Sequence, residues 1–268
     1  MRKLSFAMAM FMVSCHNLSS FIPVQVPETE DATASQDHNG LVPDFEEGSW
    51  QFFLRHLPVL DSPVLDYRGR EVDDQYKHVG IIPYDVGTRD LQQCADALIR
   101  LRAEYLFGRK QYEKIGFHFT GGQFYSFTDY CNGKRPVPRG NDVVFVNKAT
   151  TVTRNRQSLR KYLDIVYTYA GTISLAKELK PAQDFEVGTV VIYASSPGHC
   201  FIIIDESRNE KGERVFKLAE GYTPAQSIYV LRSQNSKGNS RNPWHRLEKG
   251  VIQTASYSFE KYQLGRFE

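Results

Sequence analysis

The chain has 268 residues, 41% hydrophobic and 13% aromatic, with a net charge of +2. That much apolar surface excludes global disorder, and the length allows one large domain or two small ones. Acids and bases are interspersed, without the Lys/Arg block that marks a nucleic-acid surface, so no nucleic-acid partner is expected.

Arg2 and Lys3 precede an apolar run from Leu4 to Val13, and Ser14 stands directly before Cys15. The run is too short to cross a bilayer, which needs about 20 apolar residues. It fits the hydrophobic region of an export signal. The order apolar, small, cysteine in Met12-Val13-Ser14-Cys15 resembles the lipobox of bacterial lipoproteins, with Met12 in place of the usual Leu. The resemblance implies that residues 1–14 are removed, that Cys15 is lipidated, and that two or more acyl chains anchor the protein to a membrane. A plain secretory signal with Cys15 incidental, or a retained segment, are the alternatives. Residues 15–42 are polar and aperiodic and read as a flexible tether. Residues 43–268 are expected to form one globular domain.

Within that domain, Trp50, Phe53, Leu54 and Leu57 recur at helical spacing. Val64–Tyr67 and His78–Val86 read as strands, the second broken by Pro83. Asp90–Phe107 is the first strong helix, with Asp90 as N-cap. Leu91, Cys94, Leu98, Leu101 and Tyr105 form its apolar face, and Asp96, Arg100 and Glu104 a charged row beside it. Residues 115–127 and 143–146 read as strands, with Gly121-Gly122 as a hairpin turn. A second helix is predicted over 157–179, with Gly171 inside it for close packing and Pro181 ending it. Val187–Ala194, His199–Asp205, Arg214–Glu220 and Ser227–Leu231 read as strands, with a turn at Asn209–Gly212. Helices followed by a run of antiparallel strands give an α+β domain.

Chemistry concentrates in residues 187–220. His199 opens a strand after the loop Ser195-Ser196-Pro197-Gly198. If Asp205 lies opposite Arg214 across the turn, Glu220 falls opposite His199, close enough to accept an imidazole N–H. A slip of one residue would turn Glu220 to the other face. A base so oriented needs a nucleophile. Cys94 is the best candidate, because a helix N-terminus lowers a thiol pKa. As the fourth helical residue it would sit at the limit of that effect. Cys200 faces away from His199, and Cys131 lies in a loop. Tyr222 and Gln226, which follow Glu220, could line a substrate cleft. No metal-ligand cluster or phosphate loop is present in the sequence, so neither a metal nor another cofactor is implied.

A helix-start Cys, a Gly-x-apolar strand (Gly188), a Gly-His strand (Gly198-His199) and a polar residue on the next strand (Glu220) resemble the papain-like NlpC/P60 and CHAP hydrolases. Thr189 stands where that group has Asp, and Cys94 lacks its flanking residues. The resemblance implies an antiparallel sheet packed against two main helices, and cleavage of amide bonds in cell-wall peptides. QQCADALIRLRAEYLF (92–107), RKYLDIVYTYAGTISLAKEL (160–179), PGHCFIIIDE (197–206) and LAEGYTPAQSIYVL (218–231) are similar to the domain of unknown function 4846. That family is frequent among Bacteroidetes lipoproteins, which implies an outer-membrane anchor on the periplasmic or surface side and carries no reaction. The sequence-level expectation is therefore an exported cysteine hydrolase of an envelope amide or ester. The alternative is a non-catalytic domain that binds a glycan, peptide or protein partner. Plain core packing of Cys94, strand capping by His199, a solvated Glu220, and disulfides between Cys94 and Cys131 or between Cys131 and Cys200 remain open at this level.

Overall fold

The structure is a computed structural model that describes residues 44–268 except 141, 149 and 235–239. The export signal, Cys15 and the tether lie outside the described residues. In chain order the elements are α1 (Trp50–Arg55), β1 (His78–Ile82), α2 (Cys94–Gly108), β2 (Gly116–His118), β3 (Phe124–Ser126), α3 (Phe127–Cys131), β4 (Lys134–Arg139) and β5 (Asp142–Asn147). There follow α4 (Arg156–Tyr169), α5 (Thr172–Glu178), β6 (Lys180–Pro181), β7 (Thr189–Tyr193), β8 (His199–Arg208), β9 (Arg214–Glu220) and β10 (Ile228–Leu231). The chain closes with β11 (Trp244–His245), β12 (Ile252–Gln253), β13 (Ser258–Phe259) and β14 (Gln263–Arg266).

The result is an α+β domain with one large antiparallel sheet, ordered β1-β10-β9-β8-β7-β14-β6, with β11 also paired to β9. Its central strands are apolar and β-branched and are buried along nearly their whole length. Helix α2 packs across β8 and β9, and α1 packs on β8. Between α2 and β7 the chain detours through α3, α4, α5 and two small hairpins, β2–β3 and β4–β5. An aromatic cluster that includes Phe119, Tyr125, Phe127, Tyr130 and Tyr162 fills that lobe. This detour is why Cys94 and His199 are distant in sequence. Strand β4, with Pro136 and Pro138, pairs only with β5, as an edge strand that lacks those N–H donors must.

Two helices differ from expectation. The stretch predicted as one helix over 157–179 breaks at Ala170-Gly171 into α4 and α5. Gly171 caps α5, and a Cβ there would meet only Thr120 Oγ1 at 4.0 Å, so close packing does not explain it. The other helix, α2, starts at Cys94 rather than after Asp90, with Gln93 as N-cap. The Asp96 carboxylate accepts the Gln93 N–H at 3.1 Å, which closes the first turn. Asp90 instead accepts the Ala225 N–H at 2.7 Å and ties the loop after Glu220 to the helix start.

The β8–β9 register also differs. Asp205 lies opposite Lys217 and Arg208 opposite Arg214, because β8 runs three residues further than predicted. This odd offset alone would turn Glu220 to the wrong face. An irregularity between Ile203 and Asp205 adds one residue and restores the parity. Glu220 therefore shares a face with His199 as a diagonal rather than a direct neighbour, within reach of its longer side chain.

Candidate active site

Three segments meet at one end of the sheet. The first turn of α2 carries Cys94, the start of β8 carries His199, and the end of β9 carries Glu220. Two close approaches bring them together. A Cβ on Gly221 would come within 2.8 Å of Ala97 Cβ and 3.1 Å of Gln93 O, so a side chain there would push β9 off the helix start. A Cβ on Gly198 would meet Thr172 Oγ1 at 2.3 Å and Tyr193 O at 2.4 Å. Thr172 in turn donates to Ser195 O at 2.7 Å, so the start of α5 pins the loop that delivers His199.

Glu220 is 0% exposed and His199 is 3% exposed. His199 Nε2 lies 2.9 Å from Glu220 Oε2. The second carboxylate oxygen, Oε1, accepts the Tyr229 hydroxyl. With Nε2 engaged, the other ring nitrogen is the one free to meet Cys94, whose thiol is in side-chain contact with the imidazole. Cys94 is half-buried, and its Sγ lies 3.9 Å from Gly198 O.

The electrostatics follow from this packing. The Cys200 thiol and the His199 imidazole hold the Cys94 thiol down to about 5, against the opposing effect of burial. The backbone N–H of Ala95 at the helix start acts in the same direction. Burial disfavours the charged His199 ring, but the Cys94 sulfur and the Glu220 carboxylate outweigh it and raise the imidazole to about 9. Between those values the pair is thiolate and imidazolium. Burial, with Cys94 beside it, pushes the Cys200 thiol well above its ordinary range, so it stays protonated and can donate to the Cys94 sulfur. Burial likewise raises the Asp96 carboxyl above its ordinary range, against the Gln93 N–H that favours its charged form.

A neutral S–H is a weak donor, whereas the imidazolium carries a full charge. Cys200→Ala is therefore expected to move the midpoint of the Cys94 alkylation-versus-pH curve upward by less than about one pH unit. An upward movement larger than that produced by His199→Ala would make the Cys200 thiol the main support.

All three residues assigned catalytic roles from sequence thus lie in one cluster. Tyr222 joins them, its ring centroid 5.3 Å from that of His199. Gln226 is buried, lines a neighbouring cavity that none of the three borders, and forms a β-bridge with Asp66. Cys94, Cys131 and Cys200 are free thiols, so neither disulfide considered from sequence is formed. The Asp96–Arg100–Glu104 row, expected as a salt-bridge ladder, is buried. Arg100 pairs with Glu104 at 2.8 Å and with Asp85 at 2.9 Å, but not with Asp96.

Three further residues were not singled out from sequence, Tyr229, Tyr257 and Phe259, and Cys200, set aside there as facing away from His199, acts on the Cys94 thiol. Tyr229 lies directly opposite Glu220 in β10, which the register argument would have found if extended one strand further. Tyr257 and Phe259 pack on the His199 ring at 4.9 and 5.7 Å between centroids. Their aromatic alternation in Tyr257-Ser258-Phe259 was the available signal. Among the described residues no group of His, Cys, Asp or Glu is arranged to hold a metal ion, and no helix is long and apolar enough to cross a membrane.

No curated protein and no solved structure matches the chain. A family model does, the "Domain of unknown function (4846)", over residues 39–266. With that match spanning the whole sheet and all three clustered side chains, the chain belongs to the domain of unknown function 4846 family.

Proposed function

We propose that the domain is a papain-like cysteine hydrolase that cleaves an amide or ester of the cell envelope, such as a peptidoglycan stem peptide. We further propose that it is exported as a lipoprotein, anchored through Cys15 to the outer membrane. The observation that carries the hydrolase reading is the chain of contacts from a thiol at the first residue of a helix, through His199, to a fully buried Glu220. A nucleophile-bearing helix laid on an antiparallel sheet, with base and orienting group on adjacent strands, is the arrangement expected of a papain-like enzyme.

The Cys94 thiolate attacks the substrate carbonyl and forms a tetrahedral oxyanion. The first N–H groups of a helix have no intrahelical acceptor, so the Cys94 N–H is available to that oxyanion. The His199 imidazolium then protonates the leaving amine or alkoxide as the C–N or C–O bond breaks, which leaves an acyl-thioester. Neutral His199 next takes a proton from water, the resulting hydroxide attacks the thioester, and the thiolate is restored. Glu220 holds the ring and stabilises its charged form, and Tyr229 holds Glu220.

The test is hydrolysis of muropeptides released from peptidoglycan, and of p-nitrophenyl acetate, by the wild type and Cys94→Ala. Turnover that the substitution abolishes supports the enzyme, while equal release by both proteins sinks it. The second reading is a non-catalytic binding domain. The observation in its favour is that neither of the two cavities flanking Tyr76–His78, of about 500 and 430 Å³, is bordered by Cys94, His199 or Glu220.

A further inference from the structure

Cys94 has a second sulfur beside it. Its Sγ lies 3.9 Å from Gly198 O, over the start of β8, and the side chain of Cys200, the second residue of that strand, is in contact with it. The elements that carry the two thiols, α2 and β8, pack directly on each other. Both thiols are free, so the sulfurs are neighbours without a bond. Cys131 stands apart at the end of α3, where its charged neighbours are Arg154 and Arg135.

The two thiols differ as an oxidation pair must. Cys94 is half-buried, so a small reagent can reach it, whereas Cys200 is 0% exposed. Oxidation of a cysteine follows exposure and thiolate character, and Cys94 has both. The order of events is therefore fixed by the packing: Cys94 reacts first, and the enclosed Cys200 is the thiol in place to react with it second. A compartment outside the reducing cytosol, where the export reading puts the chain, lets such a bond persist.

We propose that Cys94 and Cys200 form a reversible disulfide that turns the site off when a hydroperoxide enters it. In the first step the Cys94 sulfur attacks the terminal oxygen of the peroxide. An S–O bond forms, the O–O bond breaks, and the departing alkoxide takes a proton from the His199 imidazolium. The sulfur is oxidised to a sulfenic acid and the peroxide is reduced to an alcohol, or to water from hydrogen peroxide. In the second step the Cys200 sulfur attacks the Cys94 sulfur. The S–S bond forms, the S–O bond breaks, and the departing hydroxide leaves as water with the Cys200 proton. A thiol reductant restores both thiols. The inference rests on the hydrolase reading for its consequence for activity, but the sulfur chemistry is read on the protein itself and needs no turnover.

The test treats the reduced wild-type protein with hydrogen peroxide at neutral pH, alkylates the remaining thiols, and maps the cysteines by peptide mass spectrometry. A Cys94–Cys200 cross-link that dithiothreitol removes, with Cys131 still alkylated, is the expected result. Cys200→Ser is expected to lose the cross-link and to hold Cys94 as a sulfenic acid that dimedone traps. The mapping on the wild type stands without any variant. A cross-link through Cys131, a sulfenic or sulfinic acid on wild-type Cys94 with Cys200 still reduced, or a Cys94 that excess peroxide leaves unchanged would overturn the switch. The hydrolase reading fails separately, through absence of turnover by the fully reduced protein.

Discussion

His199→Ala is expected to slow alkylation of Cys94 by iodoacetamide about tenfold at pH 6 and to accelerate it at pH 9. The imidazolium supports the thiolate, so its loss returns the thiol towards an ordinary value of about 8.5. At pH 6 the thiolate fraction then falls from nearly complete to roughly 0.3%. A more basic thiolate is also more nucleophilic, by about 0.4–0.5 log units for each unit of pKa. That gain recovers about thirtyfold of the loss, so the net effect near pH 6 is about an order of magnitude. Above the new pKa the intrinsic gain stands alone, so the two rate curves cross near neutrality. Curves that run parallel, or a variant slower at every pH, would mean that His199 does not ionise Cys94.

Glu220→Ala is expected to destabilise the domain by about 3–5 kcal/mol, the range for removing one partner of a buried charged pair. The carboxylate is enclosed between His199 Nε2 and the Tyr229 hydroxyl, so truncation strands both groups and leaves a cavity. Against a total stability of about 5–15 kcal/mol, such a loss can prevent folding. The isosteric Glu220→Gln separates stability from function. It keeps the volume and one acceptor for His199 but removes the charge that helps raise the imidazole to about 9. The sign follows directly. With a lower imidazole pKa, the ring deprotonates earlier as pH rises, so the alkaline limb of activity moves down from about 9. The acid limb stays near 5, because at that pH the ring is still charged and still supports the thiolate. Activity at pH 7 is expected to fall about 10²-fold. Chemical denaturation and a pH–rate profile read the two effects. A Glu220→Ala protein as stable as the wild type, within about 0.5 kcal/mol, would contradict the buried network.

How much of this was legible in the sequence depended on the range of the interaction. The strands β8, β9 and β10 announce themselves through β-branched runs and a turn at Asn209–Gly212, and the antiparallel α+β class followed from them. The meeting of His199 with Glu220 needed only register arithmetic across one turn. That arithmetic had the wrong hairpin length, and a bulge near Ile204, invisible to periodicity, repaired the parity. The start of α2 was misplaced because Asp90 is a good N-cap by type. Its carboxylate is instead occupied by the Ala225 N–H, from a loop more than a hundred residues away. The break between α4 and α5 fell at Gly171, where intrinsic propensity pointed the right way and the periodic face continued past it. The tail over 244–266 was not assigned as strand, since strands of two to four residues carry no periodic signal. Tyr257 and Phe259, which close over His199, were missed with it. The Asp96–Arg100–Glu104 row was read as a charged ladder beside the apolar face, and its burial was not legible because helical spacing cannot tell a solvated face from a covered one.

All of the chemistry reduces to a single ionisation, that of the sulfur at the start of α2 in the intact protein. Ultraviolet absorbance of the thiolate, titrated with pH and corrected by the Cys94→Ser protein, measures it without any substrate. A midpoint near 5 is the expected result. A midpoint at the ordinary thiol value of about 8.5, in a protein that remains folded, would leave Cys94 an inert core cysteine and remove the hydrolase.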